Sequence, residues 1–272
     1  MSTDPLHIPG LTRPGEDRVA IAGDWHGNTT WINKILTDLH RAAPDVRTIL
    51  HTGDFGIWPG AQRDRFLRIV DRFCRRAGID QILVTPGNHE DWPRLAKLFA
   101  DRPGERAQLS DVVWVLPRGH RFEIAGRSFL SFGGAASLDF ADRRAGRDWW
   151  PEEMPSEEDV NLAIAEGSVE VLITHECVDG GTPAVERILR DNPLRWGARE
   201  LEYAATSRER VTRVWEAVYP SVLAHGHLHV ADGICLDDGR RVYSLGSDGQ
   251  KRNVGLLRLG DLAWTWLEDV TA

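Results

Sequence analysis

The sequence predicts an α/β protein built around a largely parallel sheet, and three observations predict it. Short apolar runs at residues 18–22, 46–50 and 79–84 are each followed by a stretch with helical spacing. Each of these runs ends in a Gly-containing loop that carries polar side chains, as expected where a site forms at the carboxyl ends of parallel strands. From residue 112 onward the helical period fades, and short runs divided by Pro117, Gly126, Asp238-Gly239 and Gly260-Asp261 read as further strands.

Taken in order, residues 1–17 carry Pro5, Pro9 and Pro14 among charges and read as a flexible N-terminal arm. Residues 18–272 read as a single domain, with no linker and no internal repeat. The first strand runs into Gly23-Asp24-Trp25-His26-Gly27-Asn28, and residues 29–43 then repeat apolar positions through Trp31, Ile32, Ile35, Leu36 and Leu39. The second strand leads to His51-Thr52-Gly53-Asp54-Phe55-Gly56 and a charged amphipathic helix over 62–77. The third leads to Thr85-Pro86-Gly87-Asn88-His89-Glu90 and a short helix over 92–99, in which Pro93 suits the first turn. Residues 112–116, 120–124 and 128–132 read as antiparallel strands, and residues 133–155 as a long polar loop. Ser156 caps a helix at 160–165, and the strand 169–173 ends at Thr174-His175. Residues 176–206 mix glycine, proline and short helical pieces, and this stretch and the 133–155 loop are expected to cover the site. Residues 208–218 are helical, 221–224 form a strand, and His225-Gly226-His227-Leu228-His229 follows. Strands are expected at 233–236, 241–245, 254–257 and 263–267.

Composition narrows the function. At 42% hydrophobic and 27% charged, the chain resembles a soluble globular protein, and no apolar run approaches the ~20 residues of a membrane span. A formal charge of −8 argues against broad electrostatic capture of nucleic acid. Three scattered cysteines without a Cys-x-x-Cys pair fit a reducing compartment, and no secretion signal is visible, so the expected location is cytoplasmic.

Asp24, His26, Asp54, Asn88, His175, His227 and His229 all stand at or just past strand ends. Together they offer oxygen and imidazole ligands sufficient for two divalent cations if one carboxylate bridges. Hard oxygens mixed with imidazoles suit Mn, Fe, Zn, Ni or Co better than calcium or thiolate-bound zinc. Singly, each motif has an ordinary explanation: Gly-Asn-His-Glu as a turn, Asp24 and Asp54 as helix caps, His175 as a satisfied core histidine. Seven candidate ligands exceed the four of a closed structural zinc site.

These blocks resemble the calcineurin-like metallophosphoesterases, whose pattern is an Asp-x-His loop, a Gly-Asp loop, Gly-Asn-His-(Asp/Glu), a later His at a strand end and Gly-His-x-His. The match runs from Asp24 to His229, in the family's order. It implies a two-sheet β-sandwich flanked by helices. It further implies that Asp24, His26 and His229 hold one metal and Asn88, His175 and His227 the other, with Asp54 bridging. His89 would act beside the phosphoryl group, and Glu90 would orient it. The sequence departs from many relatives in lacking an acid shortly after Asp54, where Phe55-Gly56-Ile57-Trp58 stands, and in placing Glu90 where Asp is common.

The expected activity is dinuclear-metal-dependent hydrolysis of phosphodiesters or phosphomonoesters, with a hydroxide made available near neutral pH by two cations, manganese among the candidates. The alternatives are a non-catalytic scaffold of the same fold and a metal-dependent nuclease. Arg143 and Asp139, in the long loop, are the candidate substrate contacts. Of Trp25, Trp58, Trp92, Trp149 and Trp150, one or two are expected to wall the site for a nucleotide-like ester, the rest to pack in the core. The expected partner is a small phosphate ester, with no membrane and no favoured role for nucleic acid.

Overall fold

The computed structural model describes residues 11–271. Strands β1 (Arg18–Ala22), β2 (Thr48–His51), β3 (Gln81–Val84), β4 (Ala107–Gln108) and β5 (Val113–Val115) alternate in the first half with helices α1 (Thr29–Ala42), α2 (Gln62–Ala77) and α3 (Trp92–Asp101). Next come β6 (His120–Ile124), β7 (Arg127–Phe132), α4 (Glu157–Ile164), β8 (Val171–Thr174), α5 (Pro183–Asp191), α6 (Ala198–Val218) and β9 (Val222–His225). The chain closes with β10 (Asp232–Cys235), β11 (Arg241–Ser244), β12 (Val254–Arg258), β13 (Trp264–Trp266) and α7 (Leu267–Thr271). Two sheets result, ordered β13-β12-β1-β2-β3-β5-β4 and β10-β11-β9-β8-β7-β6. The expected sandwich flanked by helices is therefore present, with β1, β2, β3 and β5 parallel, and β7, β8, β9 and β11 parallel in the second sheet.

Alternation along the strands divides the core. Val19 and Ile21 pack with Leu50, Leu83, Phe129 and Ile173 between the sheets, whereas Ala20 and Ala22 join Ile32, Leu36, Leu67 and Val70 beneath the helices. Sheets buried on both faces explain why these strands read as continuous apolar runs. Truncating a buried residue such as Leu50 to Ala costs about 2–5 kcal/mol. Local signals set the helix ends. The Asn28 side chain accepts from Trp31 N at the start of α1, Asp91 caps α3, and Ser156 forms a capping box with Asp159 before α4.

Three expectations are corrected. Of the flexible arm 1–17, residues 1–10 lie outside the described residues. Within the remainder Glu16 is buried, and its carboxylate accepts from the backbone N–H groups of Arg47 and Thr48 and from the Thr48 hydroxyl, tying that end to β2. Residues 176–206 are ordered by α5 and the first half of α6, which pack Val185, Leu189, Leu201 and Ala204 against Ala136, Leu138 and Leu228. The expected strand at 263–267 stops at Trp266, where α7 begins. No helix among the described residues is long and apolar enough to cross a membrane.

Candidate metal centre and its cavity

The loops after β1, β2, β3, β8 and β9 meet at one edge of the sandwich, and Asp54 stands in the middle. Its Oδ2 lies 3.6 Å from His26 Nε2, 3.7 Å from His89 Nε2 and 3.5 Å from His175 Nε2, and its Oδ1 accepts from His89 N at 3.0 Å. His229 Nε2 lies 3.0 Å from Asp24 Oδ2. Two groups have ligand atoms close enough to share a cation: Asp24, His26 and His229, and Asp24, Asp54 and His175. Asn88 joins the second group through Oδ1, 2.9 Å from His175 Nε2. His227 stands against His175 with ring centroids 5.0 Å apart, but its Nε2 is buried without a hydrogen-bond partner and lies 4.0 Å from an equally unpartnered Glu176 Oε2. It falls outside the two groups.

The backbone is bent to bring these atoms together. His26, Asp54, His227 and His229 all adopt left-handed φ values, +44°, +52°, +71° and +53°, a region sparsely used by non-glycine residues and concentrated at functional sites. Glycine is required beside them. A Cβ on Gly87 would collide with Asp54 Oδ1, and one on Gly226 with Asp24 Oδ1.

The donor set fits a divalent cation. Asp24 and Asp54 are fully buried carboxylates whose ion-pair partners are imidazoles, and two such charges call for positive charge beside them. Burial opposes charging of His26 and His175, yet the neighbouring carboxylates outweigh it and push them up to about 9 and about 10. His175 Nδ1 donates to Thr52 O at 2.8 Å, so its Nε2 is turned to Asn88 Oδ1 and Asp54 Oδ2. Three first-row metal ligand types, carboxylate, amide oxygen and imidazole, thus converge.

Glu90 differs from expectation. It is fully buried, and its carboxylate accepts from the backbone N–H groups of Asp54, Gly56 and Gly87, which locks two turns together; His89 is not among its hydrogen-bond partners. A longer arm than Asp reaches across to the neighbouring loop. His89 is met by Arg143, whose Nη2 lies 3.1 Å from His89 Nε2 while Asp139 holds the guanidinium at 2.7 and 2.8 Å. Burial, with Arg143 adding to it, keeps the His89 imidazole below its ordinary range.

A cavity of about 340 Å³ opens over the centre, lined by His26, His89, Arg143, Asp148, Trp58, Pro59 and Trp150. A larger cleft of about 600 Å³ adjoins it, sharing Trp58 and Pro59 and reaching Phe66 and Ile69. Trp58, 45% exposed, and Trp150 face the first cavity, whereas Trp25 is core, Trp92 donates to Gly87 O, and Trp149 donates to Glu153 Oε1. Arg143, Asp148 and Trp150 of this lining come from 133–155, and none of it comes from 176–206.

Several residues at the centre carry no motif. Asp248 accepts from Asn28 Nδ2 and pairs with His26 Nδ1, both at 2.8 Å, which turns His26 Nε2 toward Asp54. Asn253 Oδ1 accepts from Trp25 and Trp31. Ser137 Oγ accepts from Asn88, and Glu153 accepts from Ser137.

Residues 17–231 match the family model described as calcineurin-like phosphoesterase. The chain matches no curated protein by sequence. Among solved structures it is similar to TT1561 of Thermus thermophilus, with a TM-score of 0.54 and 12% identity over 92% of this chain and 97% of that one. It is also similar to a dimetal phosphatase from Danio rerio, with a TM-score of 0.53 and 13% identity over 90% of this chain and 93% of that one. At these identities the likeness is one of fold.

Proposed function

The chain belongs to the calcineurin-like phosphoesterase family, and from that premise we propose that it hydrolyses a small phosphoric ester, nucleotide-like in character, using two divalent cations. Asp24, His26 and His229 would hold one cation, Asn88, His175 and His227 the other, with Asp54 between them. The observation that carries this reading is the position of Asp54, a buried carboxylate with imidazole nitrogens of His26, His89 and His175 within 3.7 Å.

Bound there, divalent cations would supply Lewis acidity toward the phosphoryl oxygens and lower the pKa of a water. The chain's own residues supply the rest. Arg143 directs a guanidinium into the cavity where charge develops on phosphoryl oxygens, and Asp139 keeps it there. His89 borders the same space, its Nε2 accepting from that guanidinium, and would help stabilise the transition state beside the phosphoryl group. Glu90 fixes the Asp54 and Gly87 turns on which these groups sit. Trp58 and Trp150 offer apolar faces for the organic part of the ester.

The test is the initial rate on bis(p-nitrophenyl) phosphate and on p-nitrophenyl phosphate, using metal-free protein resupplied with Mn²⁺ and Asn88→Ala as control. Metal-dependent turnover lost in the variant is the expected result, and the ratio of the two rates reads diester against monoester preference. Folded, metal-loaded protein that turns over neither ester with any divalent cation would move the reading to a scaffold.

A further inference from the structure

We propose that Glu153, acting through Ser137, is a positioning residue that sets which end of the Asn88 amide faces the cation site. The inference rests on the metal-dependent reading above. An asparagine amide has nearly the same shape either way round, so packing alone does not choose between its oxygen and its nitrogen. Only the oxygen has a lone pair for a cation.

The choice is made by a directional chain of hydrogen bonds. In its ionised form the Glu153 carboxylate only accepts, and Ser137 Oγ then donates its one proton to Glu153 Oε2, 2.8 Å away. That leaves the Ser137 oxygen as an acceptor, and Asn88 Nδ2 donates to it at 2.9 Å. With its nitrogen engaged there, Asn88 turns Oδ1 to His175 Nε2 at 2.9 Å. Nδ2 also lies 3.3 Å from His89 Nε2, so the same rotation sets what His89 faces. Reversing the amide would set Nδ2 against the site and oxygen against oxygen at Ser137.

Glu153 is itself held. Its Oε1 accepts from Ser137 N at 2.6 Å and from Trp149 Nε1 at 3.0 Å, so the carboxylate cannot turn. Arg118 Nη2 donates to Glu152 O and Glu153 O while its Nε donates to Gly133 O, which staples the two ends of the 133–155 loop together. Gly134 completes the staple, since a Cβ there would collide with Glu153 O. Glu153, Ser137 and Asn88 are 0%, 1% and 3% exposed, so water does not compete along the chain. Burial pushes the Glu153 carboxyl up to about 8 against the pull of the Ser137 and Trp149 bonds, which favour the ionised form that sets this direction.

The experiment is a Co²⁺ titration of metal-free protein followed by visible absorption, on wild type, Glu153→Gln, Ser137→Ala and Ser137→Thr. The two serine variants are repeated in an Asn88→Asp background, where both terminal atoms of residue 88 are oxygens and no choice of end remains. Wild type is expected to take two Co²⁺ per chain. Glu153→Gln and Ser137→Ala should weaken one of the two by about 10- to 100-fold, the range for partners that orient a metal ligand, and Ser137→Thr should restore it. In the Asn88→Asp background Ser137→Ala should change affinity less than about threefold. Unchanged Co²⁺ binding in Ser137→Ala, or an equal loss in both backgrounds, overturns the proposal while leaving the metal reading in place. Wild type that binds no Co²⁺ overturns both. Should Glu153→Gln not fold, as judged by circular dichroism, the serine series decides alone.

Discussion

Arg143 Nη2 and His89 Nε2 stand 3.1 Å apart, although 54 positions separate them in the chain and the arginine belongs to a loop with no regular element at that point. The pairing places a fixed positive charge beside the imidazole that borders the centre. We predict that Arg143→Ala lowers kcat/KM for a phosphate ester by about 10- to 100-fold, the worth of a hydrogen bond to a charged group of about 1.5–3 kcal/mol. Metal content should be unaltered. Steady-state kinetics with parallel metal analysis checks it, and unaltered kcat/KM would remove Arg143 from the reaction.

Asp54 should tie stability to metal. A cation present at a hundred times its dissociation constant stabilises a fold by about 2.7 kcal/mol. Adding a chelator is expected to lower the melting temperature of wild type and to leave that of Asp54→Asn where it is. Calorimetry with and without chelator reads the difference; a variant that responds as wild type does would dismiss Asp54 as a ligand.

Asp248 holds His26 from behind at 2.8 Å. Replacing it by Ala should weaken the cation shared by Asp24, His26 and His229 by about 10- to 100-fold while sparing the fold. Competitive Mn²⁺ titration measures this. Equal affinity in both proteins would count Asp248 as a surface acid.

Trp58 separates the cavity over the centre from the larger cleft. If it stacks on the organic part of the ester, Trp58→Ala should lower kcat/KM about tenfold for an ester bearing a base or aryl group, within the ~1–3 kcal/mol that such stacking contributes. An ester with only a small alkyl group should be little affected. Similar losses on both would point to a structural role.

Arg18 and Asp45 pair near the start of β1, about a quarter exposed. The hydrogen bond from Arg18 lowers Asp45 below its ordinary 3.8. A carboxylate lowered in the fold stabilises it above the unfolded value, and that stability disappears as pH falls through the folded one. Asp45→Asn is therefore expected to cost up to about 1 kcal/mol at pH 7 and to cost progressively less as pH falls below the ordinary 3.8. Urea midpoints at pH 7 and at pH 3 compare the two, and an equal cost at both would contradict it.

Legibility followed chemistry that sits at strand ends. Asp24, His26, Asp54, Asn88, His175 and His229 were readable because each follows a short apolar run and lies beside a glycine or in a run of polar ligands, and the fold does bring them to one edge. His227 reached the same edge, though it turns its Nε2 toward Glu176. Glu90 was readable as important but not in its partner, because the reach of its side chain to Asp54 and Gly56 depends on how two loops approach. Ser137, Glu153 and Asp248 left no trace, since a serine or an acid in a polar loop looks the same whether it faces solvent or a buried amide. The long α6 was half hidden because its first half is polar on most sides, burying only Ala204 and Ser207 before Val211.

Because β12 pairs antiparallel with β1, the loop that precedes it returns to where the chain began. Gly23 N bonds to Asn253 O, and Asp248 reaches His26 across 222 positions. During synthesis at about 5–20 residues per second, the loop bearing Asp24 and His26 waits about 10 to 45 seconds before its partner segment is made. The nascent chain therefore has most of the candidate ligands in hand before it has Asp248, which orients His26. A cation held by Asp24, His26 and His229 would therefore meet its final surroundings only when the far end of the chain, with β12 and β13 of that same sheet, has been made.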